Sequence, residues 1–190
     1  MNPVTHLLLS WTIAERSKLD LRDRKIVTWS GLVPDLDGLS VIPDILHDVL
    51  KQPPTEYFFL YHHRLTHGLP AALICSAVAA ALSRSRFRTA VWAFLVFHVH
   101  LLCDLVGSRG PDPGDIWPIH YLAPLSGKLS FQWSGQWPLN AWPNIALTVL
   151  LLIYVFVQAV RKGESPLLLF SQRANEVFVA TLRNRFQKAA

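Results

Sequence analysis

Apolar runs broken by short charged or proline-containing turns set the plan of this chain. Residues 4–14 form a first short apolar segment with Pro3 where a helix's first turn accepts proline. It ends in a charged turn over residues 15–25, and residues 26–33 form a second short segment stopped by Pro34-Asp35-Leu36-Asp37-Gly38. Residues 40–50 read as a brief amphipathic helix with Asp44, His47 and Asp48 on one side, after which Pro53-Pro54 breaks the chain. Residues 69–82 are a third apolar run closed by Arg84, Arg86 and Arg88, and residues 89–106 are a fourth that carries His98, His100 and Asp104. Residues 107–144 are a Gly-, Pro- and Trp-rich connection far longer than an ordinary loop. The wholly apolar residues 145–160 follow, and with residues 141–144 they approach the roughly 20 needed to span a bilayer.

The pattern predicts an all-α chain: a multi-pass helical membrane bundle with a long non-cytoplasmic loop. It is one domain over residues 1–163, followed by a basic C-terminal tail over residues 164–190. Composition agrees, since 51% of residues are hydrophobic and 16% charged, an apolar excess for a soluble domain. The net charge of +5 comes from clusters lying between apolar segments, with no aromatic-basic motif, so nucleic acid is not expected as a partner and membrane lipid is. Of the 18 Lys and Arg, only Lys51, Arg64, Arg109 and Lys128 fall outside the turns and tail that a hairpin tracing places at one end. Trp117, Trp133, Trp137 and Trp142 in the long loop suit a membrane interface. Cys75 and Cys103 lie in apolar runs and offer neither a disulfide framework nor a CxxC knuckle. No basic residue precedes the first apolar stretch, so no removable signal peptide is expected.

Charge and topology acquire chemical meaning at residues 62–67, His-His-Arg-Leu-Thr-His. Wound as the first turn of the helix at 69–82, His63 and His67 would project from one face about 6 Å apart. His100 and Asp104 repeat the spacing on the fourth run. The same hairpin tracing brings His6, Asp35, Asp37, His63, His67, His100, Asp104 and His120 to the end opposite the basic turns. An imidazole and carboxylate set without thiolate suits zinc, with manganese as a second candidate divalent metal. The expected ligands are His63, His67, His100, Asp104, Asp35 and Asp37, with His6 auxiliary. His120, Arg64 and Arg109 are candidate catalytic residues, as proton carrier and anion-neutralising charges. Thr66 is an expected hydrogen-bonding partner of the ligands. His98, about 200° around the helix from His100, and His47 and His62 are read as structural. Simpler roles stay open: Asp35 and Asp37 could close an Asx turn, and His100 with Asp104 could be a buried pair. A divalent ion lowers the pKa of coordinated water toward about 7, which favours hydrolysis of an ester or phosphoester.

Thr5-His6, Pro34-Asp35-Leu36-Asp37, His63-Arg64-Leu65-Thr66-His67 and His100-x-x-x-Asp104 with its glycine-rich loop together resemble the YdjM-type family of LexA-regulated, membrane-bound metal-dependent hydrolases. The resemblance runs over about residues 3–160. It implies a helical, multi-pass protein of the bacterial inner membrane; with the basic turns on the cytoplasmic side, the site is expected toward the periplasmic face. More remotely, the ligand arrangement is similar to that of zinc-dependent phospholipase C and P1-type nucleases. The expected function is metal-dependent hydrolysis of a phosphoester or other ester in or near lipid. A non-catalytic metal-binding membrane protein, such as a transport subunit or envelope-stress scaffold, would use the same cluster.

Overall fold

The computed structural model describes residues 1–186 and is mostly helical. The last four residues of the expected basic tail, Lys188 among them, lie outside the described residues. In chain order the helices are α1 (Pro3–Arg16), α2 (Leu21–Ser30), a 3-10 segment (Pro34–Ser40), α3 (Val41–Val49), α4 (Tyr57–Tyr61), α5 (Leu69–Leu82), α6 (Arg86–Gly107) and α7 (Trp142–Lys162). A second 3-10 turn, Pro166–Leu169, leads into α8 (Gln172–Phe186). Helix starts follow local chemistry: Asn2 caps α1 by accepting from the Thr5 amide at 2.9 Å, and Asp20 caps α2 by accepting from the Asp23 amide at 2.9 Å.

α6 is the central helix. It packs on α5 through Phe97 and Leu101 against Ala72 and Cys75, and on α1 and α2 through Val96 against Ala14 and Val27. α7 packs on α1, where Leu151 and Val155 meet Leu8 and Trp11. The helices are apolar on their exposed faces and mix apolar with polar residues inside. On α6 the exposed stripe is Phe87, Val91, Leu95 and Leu102, whereas Thr89, His100 and Asp104 are buried. α6 and α7, with 22 and 21 residues, are long and apolar enough to cross a membrane. α1, α2 and α5 are shorter.

Close approach of α1, α2 and α6 depends on Gly31, where a Cβ would fall 1.9 Å from the Ser10 hydroxyl and 2.6 Å from a Val96 methyl. At the basic end the turn joining α5 and α6 is tied to α2 by the buried Asp23. Its carboxylate accepts from the Arg84 amide (2.9 Å), the Ser85 amide (2.8 Å) and the Thr89 hydroxyl (3.1 Å). Arg24 donates two bonds to Glu164, and Lys162 pairs with Glu15, so the ends of α1, α2 and α7 are joined there too.

The connection between α6 and α7 contains a two-stranded antiparallel ribbon, β1 (Ile119–His120) with β2 (Ser130–Phe131), a small addition to a mostly helical chain. It is held down by two buried amides. Gln136 accepts from the Trp117 amide (2.9 Å) and donates to the Asp104 carbonyl (2.8 Å), while Asn144 donates to the Gly107 carbonyl (2.9 Å) and accepts from the Trp137 indole (2.7 Å). Beyond residue 163, most of the expected tail is ordered as α8, whose Val179 and Leu182 pack on Ala159, with Asn175 donating to the Gly163 carbonyl.

Burial alone would raise the Asp23 carboxyl, but its three donors hold it below the ordinary carboxylate range. Its stabilising effect is therefore complete above about pH 4 and drains away as pH falls through the folded-state value. Asp23→Ala strands two amides and a hydroxyl, at a cost of about 2–4 kcal/mol. Thermal unfolding in detergent at pH 7 should show a lower midpoint for the variant, with the gap from wild type narrowing in acid.

Candidate metal centre

Four separate stretches deliver the site: α1 brings His6, the first 3-10 segment brings Asp35 and Asp37, the turn before α5 brings His62, His63 and His67, and α6 brings His100 and Asp104. The turn is not the helical one expected. α5 starts at Leu69, with Pro70 in its first turn, and His63 sits at φ +64. Continuing the helix back through residues 63–67 would drive the Pro70 ring into the residue 66 carbonyl. The i, i+4 geometry of His63 and His67 is therefore absent, yet their rings stack at 4.3 Å and both are buried. Gly68 allows this turn to lie against the long loop, since a Cβ there would meet the Tyr121 and Ala123 carbonyls at 2.8 and 3.0 Å.

Asp104 is the common member. Its Oδ1 accepts from His6 Nε2 at 3.1 Å and also meets the Met1 amine, and its Oδ2 lies 2.8 Å from His100 Nε2 and 3.5 Å from His67 Nε2. Neither Oδ2 approach has hydrogen-bond alignment, so Oδ2 and both Nε2 atoms are buried without hydrogen-bond partners. His63 Nδ1, His6 Nδ1 and Asp35 Oδ2 are orphaned in the same way. Asp35 Oδ1 stands 3.6 Å from His100 Nε2, and the His6 and His100 rings stack at 3.6 Å.

The far sides of the two central imidazoles are occupied. His100 Nδ1 donates to the Gly31 carbonyl at 2.7 Å, and His67 Nδ1 donates to Asp37 Oδ2 at 3.0 Å. A carbonyl can only accept, so His100 carries a proton on Nδ1, and its Nε2 is the atom that faces the cluster. This is the orientation metal-binding histidines adopt when an outer acceptor fixes their tautomer. Asp37 also accepts from His62 Nδ1 (2.8 Å) and from the Thr66 amide (3.2 Å), and Thr66 in turn donates to the Pro34 carbonyl. Both Asp37 oxygens thus serve the imidazoles and the turn. His62, read from the sequence as structural, belongs to this network; its nearness to Asp37 is a tertiary fact with no local sequence mark.

Three overlapping sets could each hold a metal ion: His6 with Asp35, His100 and Asp104; His63 with His67 and Asp104; and Asp37 with His62 and His67. In each set the donor atoms lie within 4.8 Å of one another. Orphaned, buried N and O donors with fixed tautomers fit a borderline divalent ion such as zinc.

The cluster opens onto a cavity of about 930 Å³, where Asp35, His62, His63 and Asp104 face Phe58, Phe59 and Trp117. Arg64 and His120 are also in its wall. Arg109 is not among the lining residues; its backbone is paired to Trp137 and Leu139 and its Nε is buried without a partner. His98 lies outside the cluster, bonded to the Phe94 carbonyl and the Tyr121 hydroxyl, and His47 bonds to the Pro53 carbonyl.

The family described as YdjM inner membrane protein matches residues 1–172. The chain belongs to the YdjM inner membrane protein family. No curated protein and no solved structure matches it. The matched range contains every side chain of the cluster and both helices long enough to span, so this YdjM family member carries its His and Asp groups within the family region.

Around the centre, burial pulls His67 down, but Asp104 and Asp37 outweigh it and push it up to about 9. Burial and the neighbouring His67 hold His63 well below its ordinary value. Burial would raise Asp37, but the His62 and His67 hydrogen bonds carry it below the carboxylate range. With His67 raised in this way, metal binding at its Nε2 is expected to release a proton at neutral pH. Affinity for zinc should therefore rise with pH, about tenfold per unit up to about pH 9, and calorimetry in buffers of different ionisation enthalpy should show proton release. In His67→Ala the slope should flatten.

Proposed function

We propose that this YdjM family member is a multi-pass inner-membrane hydrolase that cleaves a phosphoester, or another ester, in or near lipid at a centre of one or two divalent ions. Zinc is the first candidate and manganese the second. The observation that carries the reading is a cluster of unpaired imidazole nitrogens and carboxylate oxygens whose outer members, His63, Asp35 and Asp104, line a cavity that also presents Arg64 and His120. A structural metal needs no such access, whereas a catalytic one needs an open position beside it.

His67, His100, His63, Asp104 and Asp35 hold the ion or ions, with Asp104 shared between two donor sets. Asp37 and the Gly31 carbonyl orient His67 and His100. When bound, a divalent ion polarises a phosphoryl oxygen and makes water acidic enough to react at neutral pH. Arg64 offers a guanidinium fork suited to a phosphate. Burial and the Arg64 charge lower His120, so at neutral pH its imidazole is free to take up a proton. The basic turns gathered at the opposite end support a cytoplasmic position for that end and a periplasmic one for the site.

Purified protein loaded with zinc or manganese should hydrolyse bis(p-nitrophenyl) phosphate and lose the activity on chelation. Asp104→Asn should lower kcat by at least about 100-fold, and Arg64→Ala should raise KM by about tenfold with a smaller effect on kcat. Equal turnover in wild type and Asp104→Asn would contradict the assignment. A metal-loaded wild type inert toward phosphoesters and carboxylic esters would return the centre to a non-catalytic role.

A further inference from the structure

Helix α3 has no buried residue, although it is the most strongly amphipathic of the helices. Ile42, Ile45, Leu46 and Val49 follow the i, i+3, i+4, i+7 rule and expose between 49% and 69% of their surface. Asp44, His47 and Asp48 take the opposite side. The helix packs chiefly on the 3-10 segment and on α4 rather than on the helices around α6. Its attachment is specific: Asp44 accepts from the Thr55 hydroxyl (2.6 Å) and from the Tyr57 and Phe58 amides (2.9 and 2.8 Å), which fixes α4 beside it.

The apolar surface continues onto Leu36 and Leu39 on one side and Phe59 and Leu60 on the other, all at least half exposed. Leu39 and Phe59 also line the cavity, so the stripe runs from the outer surface to the mouth of the metal-side chamber. Three features select lipid as the occupant. The chain belongs to an inner membrane family and carries two helices able to span. The stripe is aliphatic and offers a protein partner no hydrogen bond. The site end also carries exposed Trp133 and Trp142, at the level where tryptophan marks a bilayer interface. A short helix with one apolar face and a charged opposite face lies in the plane of such an interface. The polar face carries more acid than base, which makes the attraction hydrophobic and insensitive to salt.

We infer that α3 and α4 lie in the membrane interface at the site end and form a side entrance through which an acyl chain passes from the leaflet along Leu39 and Phe59 into the cavity. Burial of α3 in lipid is independent of catalysis; entry of a lipid substrate rests on the hydrolase reading above. A lipid phosphoester drawn in this way would place its headgroup between Arg64 and the His and Asp wall, with its chain against Phe58, Phe59 and Trp117.

The test uses full-length protein with Cys75 and Cys103 replaced by alanine, reconstituted in phosphatidylethanolamine and phosphatidylglycerol liposomes. Single nitroxide labels go at Leu46→Cys and Val49→Cys on the apolar face and at Asp48→Cys on the polar face. The apolar-face labels should be at least fivefold more accessible to oxygen than to a water-soluble nickel chelate, and Asp48→Cys should show the reverse. Chelate access at all three positions would overturn the inference, and so would protection from both reagents at 46 and 49, which marks a protein partner or a second copy. A phosphatidylglycerol carrying a diazirine on one acyl chain should give adducts on residues 58–59 and 117, reduced at least threefold by Leu46→Asp with Val49→Asp. Adducts confined to α6 and α7 would overturn the side entrance. Neither readout requires turnover, so failure here is distinguishable from failure of the hydrolase reading.

Discussion

A carboxylate with almost no access to water sits near one end of the central helix, and its neutralisation constrains everything around it. An isolated buried charge costs several kcal/mol even after the surroundings relax. Asp104 is therefore surrounded by His6, His67 and His100, one from α1, one from the turn before α5 and one from its own helix. The packing of α1 and α2 on α6, made possible at Gly31, brings His6 to the carboxylate and a carbonyl to the back of His100. The 3-10 segment supplies Asp37 to the back of His67. These outer contacts leave the inner nitrogens without protein partners, which is costly in a metal-free cluster and appropriate in one that holds a cation.

The opposite end of the molecule is joined by different chemistry. Asp23 gathers the α5–α6 turn, while Arg24 with Glu164 and Lys162 with Glu15 fasten α7. Between the two ends the outward faces of α5, α6 and α7 are apolar, and the inward faces place polar groups such as Ser76, Thr89, His100, Asp104, Asn144 and Gln158 among apolar ones. Apolar outward faces suit a hydrocarbon surround, where apolar side chains gain nothing by hiding and polar ones must be paired inside. Gln136 and Asn144 perform the same service for the long connection, spending buried amides on carbonyls at the end of α6.

Much of this was legible in the sequence because it follows from local pattern. The apolar runs gave the main helices, and the turns between them foretold which candidate ligands would share an end; the structure brings six of the seven expected metal-binding side chains into the two donor sets that share Asp104. Asp37, the seventh, falls in the third set. The spacing of His63 and His67 suggests a helical turn, but the proline at 70 sets the helix start by its steric demand. His62, Gln136 and Asn144 were invisible because their partners are 25 or more residues away, or because nothing in a polar loop residue announces burial. α8 carries no apolar run to announce it, since its buried positions, Asn175, Val179 and Leu182, lie in a sequence otherwise rich in charge.

Elemental mass spectrometry of the full chain, purified in detergent without added metal, tests the central claim most directly when wild type is compared with His67→Ala plus Asp104→Ala. The account predicts near-stoichiometric zinc or manganese in wild type and its loss from the double variant. A wild type that stays free of metal even after divalent ions are supplied would contradict it, leaving the His and Asp cluster as a polar network that holds the helices together.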